Sequence, residues 1–464
     1  MSIVSTLPKR SFTDITLPWH TLRFHSKRVT TLSIQPTFTD STLPYLISGD
    51  EEGKLVVWGL LTRRPLTVIQ LPTHAQIIDA KPLWHMGKVL YCVLSRDHTF
   101  RVYVSDGSNA KVAFEMPVNT LNFANFEAWS EDGEITLVCC STIGAEFIDV
   151  YRFRVGELNS LRRLFKGVDF QPLLSELLTD EGSGEERKLG IAMRFARDCL
   201  HGVVFCGFEG GIVLGFKLLP DSIEIVYVSE YYYPNPILDL FVGYGESVVL
   251  LSSSTSREIN LVGLDKYMDT FTLQSQKGLD HTDETPHSSD SFPQATTGGT
   301  KLAIAPNVVV MKRETESRTI KSPFPKVSHV RATKNFYVLS GWSGRTAVLD
   351  KTDLKLVDTY WKSRSGVSVN ESARGSLGNE KVREPQYRKI GAMTVLDPFE
   401  SQLNSAMGYT PSPSASSNSE SSLTSDSLIA PRATISRRRL DNLAEHTWCF
   451  VGYDDGSIGM YKVS

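Results

Sequence analysis

No stretch of this sequence stays apolar for the ~18 residues that a membrane-spanning helix needs. The opening MSIVSTLPKRSFTD has neither the apolar core nor the small-residue cleavage site of a secretory leader, so the expected compartment is the cytosol or nucleus. Charge of one sign is also lacking. Lys plus Arg number 49 and Asp plus Glu 52, a formal net charge of -3. That balance gives no global basic footprint, and neither direct nucleic-acid contact nor membrane binding is expected. Cysteine is scarce: Cys92, Cys139, Cys140, Cys199, Cys206 and Cys449 form no C-x-x-C and have no histidine at zinc-finger spacing. Most lie in apolar runs such as TLVCCS, GVVFCGF and TWCFVGY, the pattern of reduced thiols in a core.

Catalytic signatures are missing as well. GFEGG (Gly207 to Gly211) lacks the Lys-Ser/Thr of a phosphate-cradling loop and opens a strand, so it reads as a hairpin turn. There is no G-x-S-x-G elbow, and Ser343 in SGWSGR falls in a tight turn with no helix after it. The ten histidines are scattered; His281, Asp283, Glu284 and His287 sit in a polar stretch that reads as a solvated loop. Leu161-Arg162-Arg163-Leu164 lacks the flanking Phe and Gly of a phosphoinositide-binding propeller, and the pairs Arg63-Arg64 and Arg162-Arg163 read as solvated residues between strands. No catalytic, metal or cofactor residue is assigned.

What is present is a repeated phrase. LISGDEEGKLVVW, VVFCGFEGGIVLGF, YVLSGWSGRTAVL and CFVGYDDGSIGMY each write a short apolar strand, a Gly/Asp/Ser turn and a second strand. Gly49, Gly207 and Gly452 precede Trp58, Phe216 and Tyr461 by the same nine positions. Weaker copies (LYCVLSRDHTFRVYV, ITLVCCSTIGAEFIDVYRF, VVLLSSSTSREINLVGL) bring the number to seven. A further strand is expected before each, at VTTLSI, AQIIDA, NTLNFA, KLGIAMRFA, PILDLFVG, VSHVRAT and RKIGAMTVL. The spacing starts near the ~40–45 residues of a WD-type blade, so the fold is read as an all-β, seven-bladed propeller in one domain. Three stretches lose the alternation: 274–300, 362–384 and the Ser-rich 401–442, which are read as disordered insertions in surface loops. In the last, Thr410 and Ser412 precede proline and are candidate phosphorylation sites, while Arg437, Arg438 and Arg439 form a candidate localisation or docking cluster.

The final unit supplies strands at Lys389 to Leu396, Thr447 to Tyr453 and Ser457 to Val463, and then the chain stops one strand short. At the other end WHTLRF (Trp19 to Phe24) is left over before the first blade. An uncovered edge is an aggregation template, so WHTLRF, with help from Phe12 to Leu17, is expected to pair with the last strand and shut the ring. His25 then stands where WD repeats carry the His of their Gly-His signature.

TLRFHSKRVTTLSI, PYLISGDEEGKLVVWGLLTRRPL and the terminal CFVGYDDGSIGMYKVS resemble the fungal WD-repeat family of ASTRA-associated protein 1, most strongly at the two ends of the chain. Tyr103, Tyr151, Phe216 and Tyr461 stand where a WD repeat has Trp. The resemblance implies a nuclear, non-enzymatic scaffold subunit of the ASTRA assembly. Its implied partners are a very large phosphatidylinositol-3-kinase-related protein, the co-chaperones that mature such kinases, and RuvB-like ATPases, with a link to chromatin remodelling. No site residue and no cofactor come with it. The alternatives are a propeller enzyme with a site in the central channel and a phosphopeptide or histone-tail reader.

Overall fold

The repeated turns become the hairpin turns of seven sheets in the computed structural model, which describes residues 16–35, 44–105, 109–178, 187–244, 247–267, 294–297, 300–311, 318–364, 387–397 and 439–463. We letter the strands of each blade a to d from the channel outward. Blade 1 is Val29–Gln35, Tyr45–Asp50, Lys54–Gly59 and Arg64–Gln70. Blade 2 is Ile77–His85, Lys88–Ser95, Thr99–Ser105 and Ala110–Pro117. Blade 3 is Glu127–Glu131, Glu134–Cys140, Ile148–Arg154 and Glu157–Val168. Blade 4 has Ala192–Asp198, Val203–Phe208, Val213–Leu218 and Ser222–Ser229, and blade 5 has Asp239–Gly243, Val249–Ser253, Glu258–Gly263 and Arg318–Lys321. Blade 6 is Val327–Ala332, Phe336–Gly341, Arg345–Asp350 and Leu356–Trp361. Each a strand packs beside the next all the way round, blade 7 against blade 1 included, which makes the chain a closed seven-bladed β-propeller.

Blade 7 answers the question of the missing strand. Ile390–Leu396, Thr447–Tyr453 and Ser457–Val463 are its a, b and c strands, and His20–Arg23 is its d strand. The pairing is antiparallel, His20 opposite Met460 and Arg23 opposite Ser457. Leu22 is buried with Ile458, Met460 and Trp448, and across the joint with Trp58 of blade 1. Trp19 packs at a tilt against Trp448, ring centres 4.9 Å apart, and carries the Arg63 guanidinium 4.0 Å from its ring. The help expected from Phe12 to Leu17 takes another form: of that stretch Thr16 and Leu17 are described, and Thr16 bonds Thr359 and Asp358 on the outer strand of blade 6.

The recurrent glycine of the phrase has a packing cause. A Cβ on Gly49 would lie 2.8 Å from Ile77, on Gly207 2.5 Å from Ile237, and on Gly452 2.7 Å from Val29. In each case the intruder comes from the next blade or the connection to it. The b strand gives up its side chain so that neighbouring blades close over a branched apolar residue, whose burial is worth ~1.5–3 kcal/mol. Gly456 acts differently: it sits at φ +78° in the last turn, where a Cβ would meet the His25 carbonyl at 2.2 Å.

Several expectations shift. NTLNFA is not a strand; the inner strand of blade 3 starts later, at Glu127, and residues 119–125 are a loop held by its own asparagines. Blade 4 grows beyond four strands. Thr300–Met311 pairs parallel with Ser222–Ser229, and Gln294–Thr297 pairs with its first residues, so the end of the 274–300 stretch carries strand. Lys362, at the edge of the 362–384 stretch, bonds Asp455 and Ser457, each at 2.6 Å. Residues 439–445 are helical and bury Leu443, so order begins inside the 401–442 stretch. A short helix, Gln171–Leu177, bridges blades 3 and 4.

Candidate functional site: the channel belt and the two faces of the ring

The inner strands all run the same way through the channel, so the a–b and c–d turns emerge on one face, here face I. The b–c turns and the connections between blades emerge on the other, face II. Both faces depend on how rigidly the blades are joined, and the joints include polar residues placed in or next to the a strands. Thr31 of blade 1 donates to Asp79 of blade 2 at 3.1 Å, and Ser33 donates to the Ala80 carbonyl at 2.7 Å. Lys81 of blade 2 donates to Glu127 and to the Phe126 carbonyl of blade 3, each at 2.7 Å. Asn125 and the backbone of Phe195 bond reciprocally at 2.9 and 2.7 Å, joining blades 3 and 4. Arg194 reaches the Leu238 carbonyl at 3.1 Å for blades 4 and 5. Asp239 of blade 5 accepts from the Val330 amide and from Arg331 of blade 6, both at 2.8 Å. Asp397 of blade 7 accepts from the Lys334 amide at 2.5 Å.

The electrostatics follow from burial and pairing. Burial acts to lower the Lys81 pKa, but the Glu127 and Asp79 carboxylates outweigh it and hold the ammonium above its ordinary value. Burial pushes His329 down to about 4, with the nearby Asp239 carboxylate offsetting it only in part and the Arg331 guanidinium adding to it. It is neutral at pH 7. Towards face I the channel opens into a cavity of 470 Å³ whose walls include Lys81, Trp84, Glu127, Trp129, Arg197 and Arg331. Arg197 lies over the Trp129 ring at 4.3 Å.

Blade 1 carries a relay that braces face II. His25 Nδ1 lies 2.8 Å from Asp50, His25 Nε2 lies 2.6 Å from the Ser48 hydroxyl, and Trp58 Nε1 donates to the same hydroxyl at 2.8 Å. Burial works to raise the Asp50 pKa, yet the His25 bond and the Lys54 and Glu52 amides prevail and hold it below its ordinary value. The other blades vary the theme: Tyr151 donates to Asp149 at 3.0 Å, Tyr461 shares a 2.7 Å bond with Tyr453, and Phe216 contributes packing alone.

The residues singled out from sequence fare unevenly. Thr410, Ser412, Arg437, Arg438 and the cluster His281 to His287 lie outside the described residues. Arg439 opens the helical turn before Thr447–Tyr453 and is exposed; after burial, its charge is the second influence lowering Arg63. Arg63 and Arg163 are not plain solvated residues, since Arg63 covers Trp19 and Arg163 reaches the buried carboxylate of Asp149. Five cysteines are buried as expected, while Cys199 is exposed. GFEGG is the b–c turn of blade 4 and Ser343 that of blade 6. Among the described residues no group of three His, Cys, Asp or Glu side chains is placed to hold a metal ion, and no helix is long and apolar enough to cross a membrane. The belt itself was not read from sequence. Its signal was there: Thr31, Asp79, Lys81, Asp239 and Arg331 interrupt otherwise apolar runs at inner-strand positions.

A family model described as ASTRA-associated protein 1 matches residues 18–461. The ASTRA-associated protein 1 of Zygosaccharomyces rouxii is 34% identical over 97% of this chain and 99% of its own length. That of Saccharomyces cerevisiae strain S288c is 31% identical, with 97% of each chain covered. Among solved structures, the crystal structure of Chaetomium thermophilum Raptor aligns with 97% of this chain and 29% of its own at a TM-score of 0.50 and 11% identity, a likeness of fold alone. With the propeller and its clasp in place, and a match running from the closing strand to the last blade, the chain belongs to the ASTRA-associated protein 1 family.

Proposed function

We propose that the protein is a non-enzymatic scaffold subunit of an ASTRA-type assembly in the nucleus, a stiff ring that holds other subunits against its faces. Its partners on this reading are a phosphatidylinositol-3-kinase-related protein, the co-chaperones that mature such kinases, and RuvB-like ATPases, through which it is linked to chromatin remodelling. The observation that carries the reading is the belt. Lys81, Glu127 and Asp239, ionisable side chains that line the channel cavity, are committed to joining blades, which is how a rigid frame is made. Relatives named for association with ASTRA supply the assembly. Affinity purification of the full-length protein from its own cells, followed by mass spectrometry, is expected to recover a kinase-related subunit and RuvB-like ATPases. Recovery of neither overturns the reading.

One observation favours a second reading, a reader of acidic or phosphorylated peptides at face I. Arg197 lies over the Trp129 ring in the cavity wall and makes no ion pair among the described residues. On that reading Arg197→Ala abolishes binding of a phosphopeptide probe while the purified assembly stays intact; on the scaffold reading no such probe binds.

A further inference from the structure

Residues 119–125 (NTLNFAN), on face II between blades 2 and 3, have their amphipathic character turned inside out. Every asparagine points into the protein. Asn119 Nδ2 donates to the Ser141 carbonyl at 2.8 Å, Asn122 Nδ2 to the Ala192 carbonyl at 2.7 Å, and Asn125 bonds Phe195 twice. Thr120 is buried beside His98. The two large apolar side chains point out: Leu121 is 74% exposed and Phe123 62%. Part of the backbone is fastened as well. The Leu121 and Ala124 amides bond Asn119 and Asn122, the Thr120 and Leu121 carbonyls accept from Arg96, and the Phe123 carbonyl accepts from Arg194.

A loop fastened by this many bonds holds Leu121 and Phe123 in fixed positions, so a partner would meet them without a large ordering cost. An aromatic or aliphatic anchor seated in a pocket is the usual centre of a binding interface. With both apolar side chains turned to solvent and the polar ones turned in, side-chain insertion is the mode of contact the loop presents. Charge narrows the partner further. The half-buried Arg96 guanidinium lies 4.2 Å from the Phe123 ring and, among the described residues, makes no ion pair. A desolvated cation beside an anchor calls for a carboxylate opposite.

We infer that residues 119–125 form a preorganised knob that inserts Leu121 and Phe123 into an apolar pocket of a partner subunit, with a partner carboxylate at the pocket rim facing Arg96. This rests on the scaffold reading and says which part of the ring makes one of its contacts. The test places the photo-crosslinking amino acid p-benzoylphenylalanine at position 121 or 123 of the full-length protein in its own cells, with position 112 as control. Val112 is 45% exposed on the outer strand of blade 2. The expected result is an adduct with another subunit from 121 and 123 but not from 112, mapping to an apolar peptide with Asp or Glu nearby. Arg96→Glu lowers its yield at least tenfold and Arg96→Lys less than threefold. Leu121→Ser/Phe123→Ser, changed only at exposed positions, keeps the melting temperature within about 2 °C and loses the same subunit on purification. Adducts only between copies of this chain, equal yield from position 112, or indifference to Arg96→Glu overturn the inference. Wild-type protein that recovers its subunits while 121 and 123 give no adduct overturns the knob and leaves the scaffold reading standing. Wild-type protein that recovers no ASTRA subunit removes the scaffold reading instead.

Discussion

Leu22→Ala is the smallest change that asks whether the ends of the chain hold the ring shut. Leu22 is 2% exposed in the middle of a four-residue strand, opposite Ile458 and packed with Met460, Trp448 and Trp58. Truncating a buried Leu costs about 2–5 kcal/mol, the lower end where the surroundings can relax into the gap. A short outer strand can relax, so about 2–3 kcal/mol is expected here, a substantial part of the ~5–15 kcal/mol that holds a typical domain. Urea unfolding of the full-length protein, followed by tryptophan fluorescence, reads the loss, because Trp19 and Trp448 pack together beside the site. Leu17→Ala is the matched control: Leu17 is 78% exposed just before the strand, and its loss should stay within about 0.5 kcal/mol. Equal behaviour of the two variants refutes the reasoning, since it means that the N-terminal strand contributes no more than a loose end.

Lys81→Met removes the strut between blades 2 and 3 and leaves Glu127 facing the channel unpaired. A loss of about 3–5 kcal/mol is expected by denaturant titration, most of it recovered when Glu127→Gln is added. His329 gives a pH dependence. Its folded pKa of about 4 lies below the ordinary value of 6.5, so the unfolded chain takes up the proton first as pH falls. Its contribution is therefore full above pH 6.5 and lost between there and about pH 4, about 3 kcal/mol, and His329→Gln should flatten stability over that window. Removing residues 401–436, whose Ser-rich composition offers little to a core, should leave unfolding free energy within about 1 kcal/mol and soluble yield unchanged.

The phrase of apolar strand, Gly/Asp turn and apolar strand was enough to count the blades, because the b and c strands are buried on both sides and read as unbroken apolar runs. Closure was legible for a related reason: an unpaired Ser457–Val463 edge needed a partner, and WHTLRF was the unclaimed strand. The inner strands were harder. Glu127–Glu131 lines the channel, so its residues are only partly buried and EAWSE lacks the apolar look of a strand, whereas NTLNFA alternates convincingly with its apolar side turned to solvent. The strand Thr300–Met311 pairs parallel with a segment some eighty residues earlier, and no local turn announces such a partner. The channel belt went unread because single polar residues in apolar runs identify their partners only once neighbouring strands are set in register.

The claim beneath everything else is that the ring is shut by its own two ends. In a Cys199→Ser background, Arg23→Cys with Ser457→Cys places two thiols directly across the clasp, where paired strands hold their Cα atoms ~4.5–5.5 Å apart, within the span of a disulfide. Mild oxidation of the folded protein should link them nearly completely and raise the melting temperature, while Arg23→Cys with Lys462→Cys, five positions further along the strand, stays unlinked. A folded protein in which the first pair does not link, or links no better than the second, contradicts the account.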